Sequence, residues 1–381
     1  TSPAFLYNVA NGGFNGGSYM EDVADLLISN GACSMEEMPY NTGDYTSWPS
    51  EDWMWVSGMK RKAISQNWLD LSQPGGEDAL KAYLAAGNTA TIGIDVWGNF
   101  DNIQNFKYIY CSSERYGVNR GGHIVTICGY DEDMETADGK GAFRMVNSWG
   151  TGWGQAGYWW MTYEAMTDGM LGYGWAMYLE SEHNYQPKAV AKIQIDHPER
   201  GDIIRNFGLT ITLSEEAIPL WNKPLLSCYW IEDWYGADVQ QRPFPAGRIA
   251  FDISEVLPLM KPTNAHQFTL SMSNSGDIEG ELTSLEILNF EWWEGGISWG
   301  MPLPLPIFTY TQANAWVSPG MFQHLPLRVN DDIDFTHRAI GEYWQGDGTQ
   351  FNPYLIPDYT ISGAGHGNCI FIGNTTSQFI I

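Results

Sequence analysis

Apolar residues at helical spacing predict two helices in the first quarter of the chain. The first helix face follows the i, i+3, i+4, i+7 pattern and consists of Met20, Val23, Ala24 and Leu27. Ser18 and Glu21 form an S-x-x-E capping box before it, and Gly31 occupies the position of a C-terminal glycine. A second, shorter helix is predicted over 77–86, ended by a glycine. Residues 41–76 show no sustained period and are interpreted as irregular.

Period-two alternation predicts strands in the middle of the chain. These strands cover 90–97, 123–128, 142–146, 157–163 and 171–179. The runs at 123–128 and 142–146 are joined by an acidic, glycine-containing segment, which is typical of a β-hairpin or of two adjacent strands. A loop is expected over 99–120 and a helical turn over 164–166. Helices followed by antiparallel strands indicate an α+β domain.

The second half of the chain shows only short strand patterns separated by turn signals. They cover 190–195, 203–213, 225–231, 248–253, 267–273 and 282–290. This spacing is typical of a β-sandwich. A polar, proline-containing stretch over 181–189 reads as a linker. We therefore expect a domain over 1–180, a β-sandwich or jelly-roll-like domain over 190–300, and an extension over 301–381 whose apolar end adds a strand to its own sheet or to a neighbouring molecule.

The strand pattern also brings a candidate catalytic pair together. His123 opens the run 123–128, and Asn147 directly follows the run 142–146. An Asn carboxamide oxygen accepts from one imidazole nitrogen and leaves the other nitrogen free for proton transfer. The sequence therefore predicts that the carboxamide of Asn147 orients the imidazole of His123.

These residues carry a resemblance to the papain-like cysteine peptidases. Gly122-His123 followed by Asn-Ser-Trp-Gly-x-x-Trp-Gly-x-x-Gly-Tyr from Asn147 onward matches the second half of that family's catalytic domain. The resemblance implies that His123 is the general base, that Asn147 is its orienter, and that Trp149 shields their hydrogen bond from water. It also implies that Gly122 belongs to the substrate-binding residues.

The resemblance extends to the glycine-rich loop before the first helix. In the family such a loop lines the cleft and hydrogen-bonds to the peptide backbone, and Gly13, Gly16 and Gly17 would do so here. An ordinary loop before a helix is the alternative interpretation.

The expected nucleophile is missing from the matching segment. In the family, the Cys at the N-terminus of a central helix and an upstream Gln precede the part that matches Ser2 onward, so the papain-like domain is expected to lack its Cys-bearing helix. Cys33 follows the C-terminal end of a helix, where the dipole raises a thiol pKa. Cys128 lies on the His123 strand with opposite parity and therefore on the other face.

Composition excludes several classes of function. The net charge of −26, from 45 acidic and 19 basic residues, argues against binding to nucleic acid or to anionic lipid. No apolar run approaches the roughly 20 residues that span a bilayer. The few basic residues suit an extracellular or cell-surface protein. The five cysteines show no zinc spacing, and we expect neither a metal nor a cofactor. Asp196, Glu199 and Asp202 could bind calcium, but solvated turn acids are the simpler interpretation.

Three functions remain open at this stage. The first is a cysteine peptidase that cleaves peptide or protein substrates only when an upstream Cys/Gln segment completes it. The second is a catalytically silent extracellular structural subunit, such as part of a sheath or surface layer, that assembles through edge strands. The third is an inhibitor or peptide-binding pseudoenzyme. For the structural subunit, a cleaved upstream fragment or a partner chain is expected to fill the groove that the missing helix would leave.

Overall fold

The computed structural model describes most of the 381 residues. The described residues are 1–11, 17–169, 172–181, 185–204, 209–215, 218–226, 242–260, 266–289, 297–300, 303–321, 323–324, 327–341, 344–356, 360–361 and 370–381. The chain divides into two compact units. One unit combines Thr1–Lys62 with Glu182–Ile381, and the other is Ala63–Ser181.

Short helices and strands alternate along the whole chain. In chain order the elements are α1 (Pro3–Ala10), α2 (Met20–Ser29), α3 (Asp52–Met59), β1 (Ala63–Asp70), α4 (Gly76–Ala85), β2 (Ala90–Asp95), α5 (Gly98–Asp101), β3 (Ile109–Tyr110), β4 (Gly122–Thr136), β5 (Gly139–Val146), β6 (Tyr158–Thr162), α6 (Tyr163–Thr167), β7 (Gly172–Ser181), β8 (Ala189–Asp196), α7 (Gly201–Ile204), β9 (Leu209–Glu215), β10 (Ile218–Leu226), β11 (Ile249–Asp252), β12 (His266–Ser273), β13 (Gly280–Asn289), β14 (Ile297–Gly300), β15 (Leu305–Ile307), β16 (Gln312–Met321), β17 (Gln323–His324), β18 (Leu327–Val329), α8 (Asp332–Gly341), β19 (Tyr354–Leu355), β20 (Thr360–Ile361), β21 (Ile370–Ile372) and β22 (Phe379–Ile380). Two 3-10 segments, Ile103–Phe106 and Ser254–Leu259, complete the set.

The predicted helix at the N-terminal end is confirmed, but its predicted cap is wrong. α2 begins at Met20 with Tyr19 as the N-cap residue, and no side chain caps it. The helix thus begins one residue later than the Ser18–Glu21 box requires. Gly31 does end the helix: its φ is +70°, and its N–H donates to the carbonyls of the last turn. Only glycine adopts this left-handed conformation without strain.

The prediction that 41–76 is irregular is wrong, because α3 and β1 both fall in this range. α3 is buried over most of its surface, from Met54 to Met59. A helix that is buried on most sides has no amphipathic stripe, and hydrophobic periodicity therefore could not predict α3. β1 is an edge strand of its sheet, and its side chains are mostly half-buried.

The Ala63–Ser181 unit is built on one seven-stranded sheet in the order β1-β7-β2-β4-β5-β6-β3. β4 lies in the middle, antiparallel to β2 on one side and to β5 on the other. The predicted strands at 90–97, 123–128, 142–146 and 157–163 are therefore confirmed. The loop predicted over 99–120 is wrong in part, because it contains a short 3-10 segment and β3.

The Glu182–Ile381 segment contributes two further antiparallel sheets to the other unit. Five strands are ordered β10-β9-β12-β16-β14, and four are ordered β11-β8-β13-β15. The predicted strands at 190–195, 248–253, 267–273 and 282–290 are confirmed in position. The strand predicted over 203–213 is wrong at its start, where α7 ends at Ile204 and β9 begins at Leu209. Residues 227–231 of another predicted strand lie outside the described residues.

These two sheets share one hydrophobic core with the N-terminal helices. Phe5 of α1 and Trp55 of α3 are fully buried in the same cluster as Ile193, Phe251 and Leu270 of the strands. The boundaries predicted for a separate β-sandwich domain over 190–300 stay a prediction. The N-terminal helices and the later strands fold around a common centre.

The last part of the chain pairs with itself. β18 pairs with β21, and β19 pairs with β22, each in parallel. α8 packs its Phe335 into a small core with Val329, Trp344 and Tyr354. The apolar C-terminal residues thus add short strands to their own chain. Among the described residues, no helix has the length and apolar character needed to cross a bilayer.

Candidate active site

His123 lies at the start of β4, where the core of the Ala63–Ser181 unit reaches the surface. The register of β2 and β4 places His123 opposite Ile94, and Val125 opposite Ile92. The three aliphatic side chains are buried. Because side chains alternate along a strand, the half-buried imidazole shares the face of these core residues.

Asn147 is held directly beside this imidazole. It follows β5, and its backbone N–H donates to the carbonyl of Gly157 at 2.9 Å. Its Oδ1 lies 2.9 Å from Nε2 of His123. A carboxamide oxygen can only accept, so Nε2 donates and Nδ1 keeps the lone pair of a base. The side chain is only 7% exposed, which favours a strong, well-oriented hydrogen bond.

Two aromatic rings flank the imidazole. The ring of Trp149 stacks on His123 with centroids 5.3 Å apart and planes 30° apart. Phe100 approaches edge-on, with its centroid 6.1 Å from that of His123 and 5.4 Å from that of Trp149. The structure thus brings together all three residues predicted for the catalytic group, His123, Asn147 and Trp149.

The segment after Asn147 folds as a glycine-dependent turn. Gly154 has a φ of +60°, and an added Cβ would lie 2.6 Å from the carbonyl oxygen of Tyr158. The N–H of Gly157 donates to the carbonyl of Trp153 at 2.7 Å. Glycine is needed where the backbone is left-handed and approaches another backbone closely. The motif therefore has glycine at positions where the backbone of this turn requires it.

The sequence did not predict the buried residues that pack against the His123 and Trp149 rings. The Phe100 ring is fully buried, with centroids 5.2 Å from Tyr110, 5.0 Å from Trp153 and 5.0 Å from Trp159. Asn99 is also buried, and its Nδ2 donates to the carbonyl of Cys111 at 3.2 Å. Both lie in the segment predicted as a loop. No local pattern distinguishes them there, since their burial depends on distant strands.

Gly122 lies on the sheet face opposite to His123. It pairs with Asp95, and an added Cβ would lie 3.0 Å from the hydroxyl oxygen of Tyr173. Tyr173 donates to one carboxylate oxygen of Asp95 at 2.8 Å, and Asn119 donates to the other at 2.7 Å. Gly122 thus leaves room for this polar cluster next to His123 in sequence.

The glycine loop is described only at its end. Gly17 is exposed with a φ of +97°, and its N–H donates to the Tyr7 hydroxyl at 3.3 Å. Gly13 and Gly16, the other two residues predicted to bind substrate, lie outside the described residues. The roles predicted for all three stay predictions.

The described cysteines are poor nucleophiles. Burial raises the pKa of the Cys33 thiol to about 12 and that of Cys111 to about 12. Burial also raises the pKa of Cys128, whose Sγ lies 3.4 Å from the carbonyl oxygen of Arg144. Since the thiolate is the reactive form, these shifts work against attack on a carbonyl. Cys228 and Cys369 lie outside the described residues.

Among the acids considered for calcium, Glu199 uses its carboxylate for backbone contacts, and Asp202 is contacted at its backbone carbonyl. The carboxylate of Glu199 accepts from the N–H groups of Gly201 and Arg242 at 3.2 and 3.3 Å. The carbonyl of Asp202 accepts from Ser275 N–H at 2.8 Å. Within the described ranges, no group of three or more His, Cys, Asp or Glu side chains is placed to hold a metal ion.

Comparison with known proteins identifies the relatives of this region. Residues 7–173 match the family profile described as papain family cysteine protease. Two curated relatives are cysteine proteinase 2 and cysteine proteinase 1 of Entamoeba histolytica, each 29% identical over 163 residues, which are 42% of this chain and 46% of the relative. The chain thus spans about half the length of the curated relatives it matches.

Solved structures of similar proteins include two proteases. Xylellain, a cysteine protease from Xylella fastidiosa, is 23% identical, with 48% of this chain and 70% of that chain covered and a TM-score of 0.40. Procathepsin B S9 from Trypanosoma congolense is 15% identical, with 47% and 59% covered and a TM-score of 0.36.

Proposed function

Residues 7–173 belong to the papain family of cysteine proteases, and from this premise we propose that His123 and Asn147 serve as base and orienter in the hydrolysis of peptide bonds. The observation that carries the proposal is the 2.9 Å contact between Nε2 of His123 and Oδ1 of Asn147. The ring of Trp149 stacks on His123 beside this contact. The arrangement fixes the tautomer in which Nδ1 is free to take a proton.

The proposed reaction has two stages. Nδ1 of His123 takes the proton of a cysteine thiol, and the thiolate attacks the peptide carbonyl carbon. The imidazolium then gives this proton to the leaving amine as the C–N bond breaks, which leaves a thioester. In the second stage His123 removes a proton from water, the hydroxide attacks the thioester, and the thiol leaves as it regains the proton. Asn147 holds the ring in one orientation throughout.

We propose that the thiol comes from a segment that precedes Ser2 in the family pattern. Cys33, Cys111 and Cys128 have raised pKa values and lack thiolate character. The same upstream segment would supply the Gln of the oxyanion hole. It would belong either to a longer form of this chain or to a cleaved fragment that stays bound. Gly13, Gly16, Gly17 and Gly122 are the proposed contacts to the substrate backbone.

The experiment combines mass spectrometry with an activity assay on the native protein. N-terminal sequencing and intact mass under denaturing conditions should reveal a longer chain or a second fragment that carries a cysteine. Iodoacetamide should label that cysteine and abolish hydrolysis of a fluorogenic peptide. In the same assay His123→Ala should lower kcat/KM by on the order of 10³-fold or more, while the control His337→Ala should leave it unchanged.

Two results would overturn the peptidase proposal. One is native material that consists of residues 1–381 alone and shows no thiol-dependent hydrolysis. The other is hydrolysis that survives both iodoacetamide and the His123 substitution.

A second candidate function is a structural subunit at the cell surface or outside the cell. It is favoured by exposed apolar side chains on the terminal strands β21 and β22, including Phe371, Phe379 and Ile380. Exposed strand edges of this kind pair with further chains. Sedimentation velocity should then show concentration-dependent polymers that Ile380→Lys dissolves. A native protein that stays monomeric at every concentration would exclude this function.

A further inference from the structure

A cavity of about 750 Å³ lies in the unit that does not contain His123. Two arginines line it, together with hydroxyl-bearing and apolar side chains. Its lining residues that matter here are Arg200, Arg242, Trp48, Phe244, Thr46 and Ser47. Arginine is seldom buried unless it is paired, and this cavity therefore differs from an ordinary surface depression.

Arg200 forms a rigid wall of the cavity. Its side chain is buried, with 2% exposed. One guanidinium nitrogen donates to the carbonyl of Pro243 at 3.1 Å, and the other donates to the carbonyl of Thr46 at 2.5 Å. The guanidinium lies over the Trp48 ring, 4.3 Å from its centroid. Trp48 is itself fixed by a 2.7 Å hydrogen bond from Nε1 to the carbonyl of Asn8.

Arg242 differs from Arg200 because, among the described residues, its guanidinium donates no hydrogen bond, whereas that of Arg200 donates to two carbonyls. Its side chain is only 8% exposed, and its Nε is buried without a hydrogen-bond acceptor among the described residues. No carboxylate of the described residues forms an ion pair with its guanidinium. The Tyr45 ring lies 6.0 Å from it. Two described acids belong to the same region: Glu199, which accepts the backbone N–H of Arg242, and Asp196, which lines the cavity.

The backbone around Arg242 is fixed independently of its side chain. The carbonyl of Arg242 accepts from the N–H of Arg200 at 2.9 Å, and the N–H of Phe244 donates to the carbonyl of His197 at 3.2 Å. Arg242 therefore lines the cavity from a backbone whose position does not depend on its side chain.

We propose that this cavity is a binding site for an oxyanion, with Arg242 as the residue that pairs with it. The planar guanidinium fork matches a carboxylate, a sulfate or a phosphate through two parallel N–H donors. Burial of an unpaired charge is unfavourable, and a bound anion removes that penalty. Thr46 and Ser47 add hydroxyl groups to the lining, and Phe244 adds an apolar surface for the body of the ligand.

The negative net charge of the chain disfavours nonspecific binding of anions. At −26 the molecule repels anions overall, and weak nonspecific binding to surface lysines contributes little. A saturable anion site on this protein therefore requires a built pocket. The proposal does not depend on the peptidase chemistry, because all lining residues belong to the unit without His123.

The test measures anion binding by isothermal titration calorimetry at constant ionic strength, with chloride as the background. Sodium sulfate, inorganic phosphate and sodium benzoate are titrated into the full chain to distinguish tetrahedral from planar oxyanions. We expect one site tighter than about 1 mM for at least one of them. Arg242→Gln should weaken it by on the order of tenfold or more, as for loss of a charge-assisted hydrogen bond.

A matched control removes a positive charge elsewhere in the same unit. Arg61 is 41% exposed at its side chain and pairs with Glu37, and Arg61→Gln should leave anion affinity unchanged. Arg242→Lys keeps the charge without the planar fork, so its anion affinity should fall between those of the wild type and Arg242→Gln. This variant also serves as the test if Arg242→Gln does not fold.

Thermal unfolding separates a ligand site from a structural arginine. Without added oxyanion, Arg242→Gln should unfold at the same or a higher temperature than the wild type, because it buries no unpaired charge. With the oxyanion present, only the wild type should gain stability, as expected for a ligand that binds the folded state. Absence of saturable binding, or equal responses of Arg242→Gln and Arg61→Gln, would overturn the proposal.

Discussion

The hydrogen-bonded pair of His123 and Asn147 depends on a few residues that can be recognised in the sequence by their type and spacing. Asn147, Trp149 and the glycines of the following turn stand at fixed spacing, and each has a visible physical reason in the structure. Phe100 also flanks the imidazole, with ring centroids 6.1 Å apart, yet it is an ordinary aromatic residue in the short helix α5, which no local pattern predicts. Residues with special chemistry or special backbone geometry could be predicted, whereas those that act by packing could not.

Replacement of Asn147 tests the orienting role at this scale. Asn147→Ala removes the acceptor that fixes the imidazole, and kcat of the complete peptidase should fall by on the order of 10²-fold. Stability should change little, by within about 1 kcal/mol, because the variant also removes the buried Nδ2 that has no partner among the described residues. Peptide hydrolysis and urea unfolding measure the two quantities.

The control for this experiment is Asn88→Ala. Asn88 is exposed, and its Nδ2 donates only to the carbonyl of Tyr83 at 3.2 Å. This variant should match the wild type in both measurements. An Asn147→Ala enzyme with full kcat would show that the imidazole needs no orienting partner.

Among the elements, strands were easier to predict than helices because of how each is buried. β12 alternates between buried and half-buried positions, β4 does so over 125–128, and this period is visible in the sequence. α3 is surrounded by other residues on nearly all sides, and it therefore carries no amphipathic stripe. The packing of the first 62 residues around the later sheets could not be predicted either, since it depends on contacts about 200 positions apart in sequence.

Trp55 is the residue of α3 through which this shared core can be tested. Its fully buried ring lies 5.2 Å from Phe5, 6.0 Å from Trp48 and 5.8 Å from Phe251. Trp55→Ala should lower the free energy of unfolding by about 3–5 kcal/mol. The reason is that removal of the ring leaves an empty cavity where the N-terminal helices pack against the later strands. Guanidinium unfolding followed by circular dichroism measures this loss.

Trp175→Ala provides the comparison, because Trp175 is 48% exposed and lies on β7 of the other unit. Its substitution should cost far less. A small loss for Trp55→Ala would mean that the N-terminal helices do not fold around a core shared with the later strands.

At the scale of the whole molecule, the excess of acidic residues controls how stability responds to solution conditions. With a net charge of −26 the folded chain repels itself, and salt should stabilise it by screening. Some carboxylates oppose this trend because they are held ionised by local contacts. Asp252 is the clearest case, as its side chain is fully buried and lies 2.6 Å from Nζ of Lys62.

Acidification should therefore weaken the unit that contains Asp252. Burial alone would raise its pKa, but the ion pair with Lys62 and the hydrogen bonds from Ser254 and Tyr185 outweigh burial, and the pKa lies below the ordinary value of 3.8. The unfolded chain consequently binds this proton more readily than the folded one. The stabilisation is complete above pH 3.8 and is lost as the pH falls through the lower folded-state pKa.

Asp252→Asn isolates this contribution. At neutral pH the variant should lose about 3–5 kcal/mol of unfolding free energy, because Lys62 keeps its charge without its partner. Its stability should then decline less steeply than that of the wild type below pH 3.8, so the two curves converge in acid. Asp277→Asn, at an exposed position, should follow the wild-type curve. Curves for Asp252→Asn and the wild type that run parallel down to low pH would show that folding does not lower the pKa of this carboxyl.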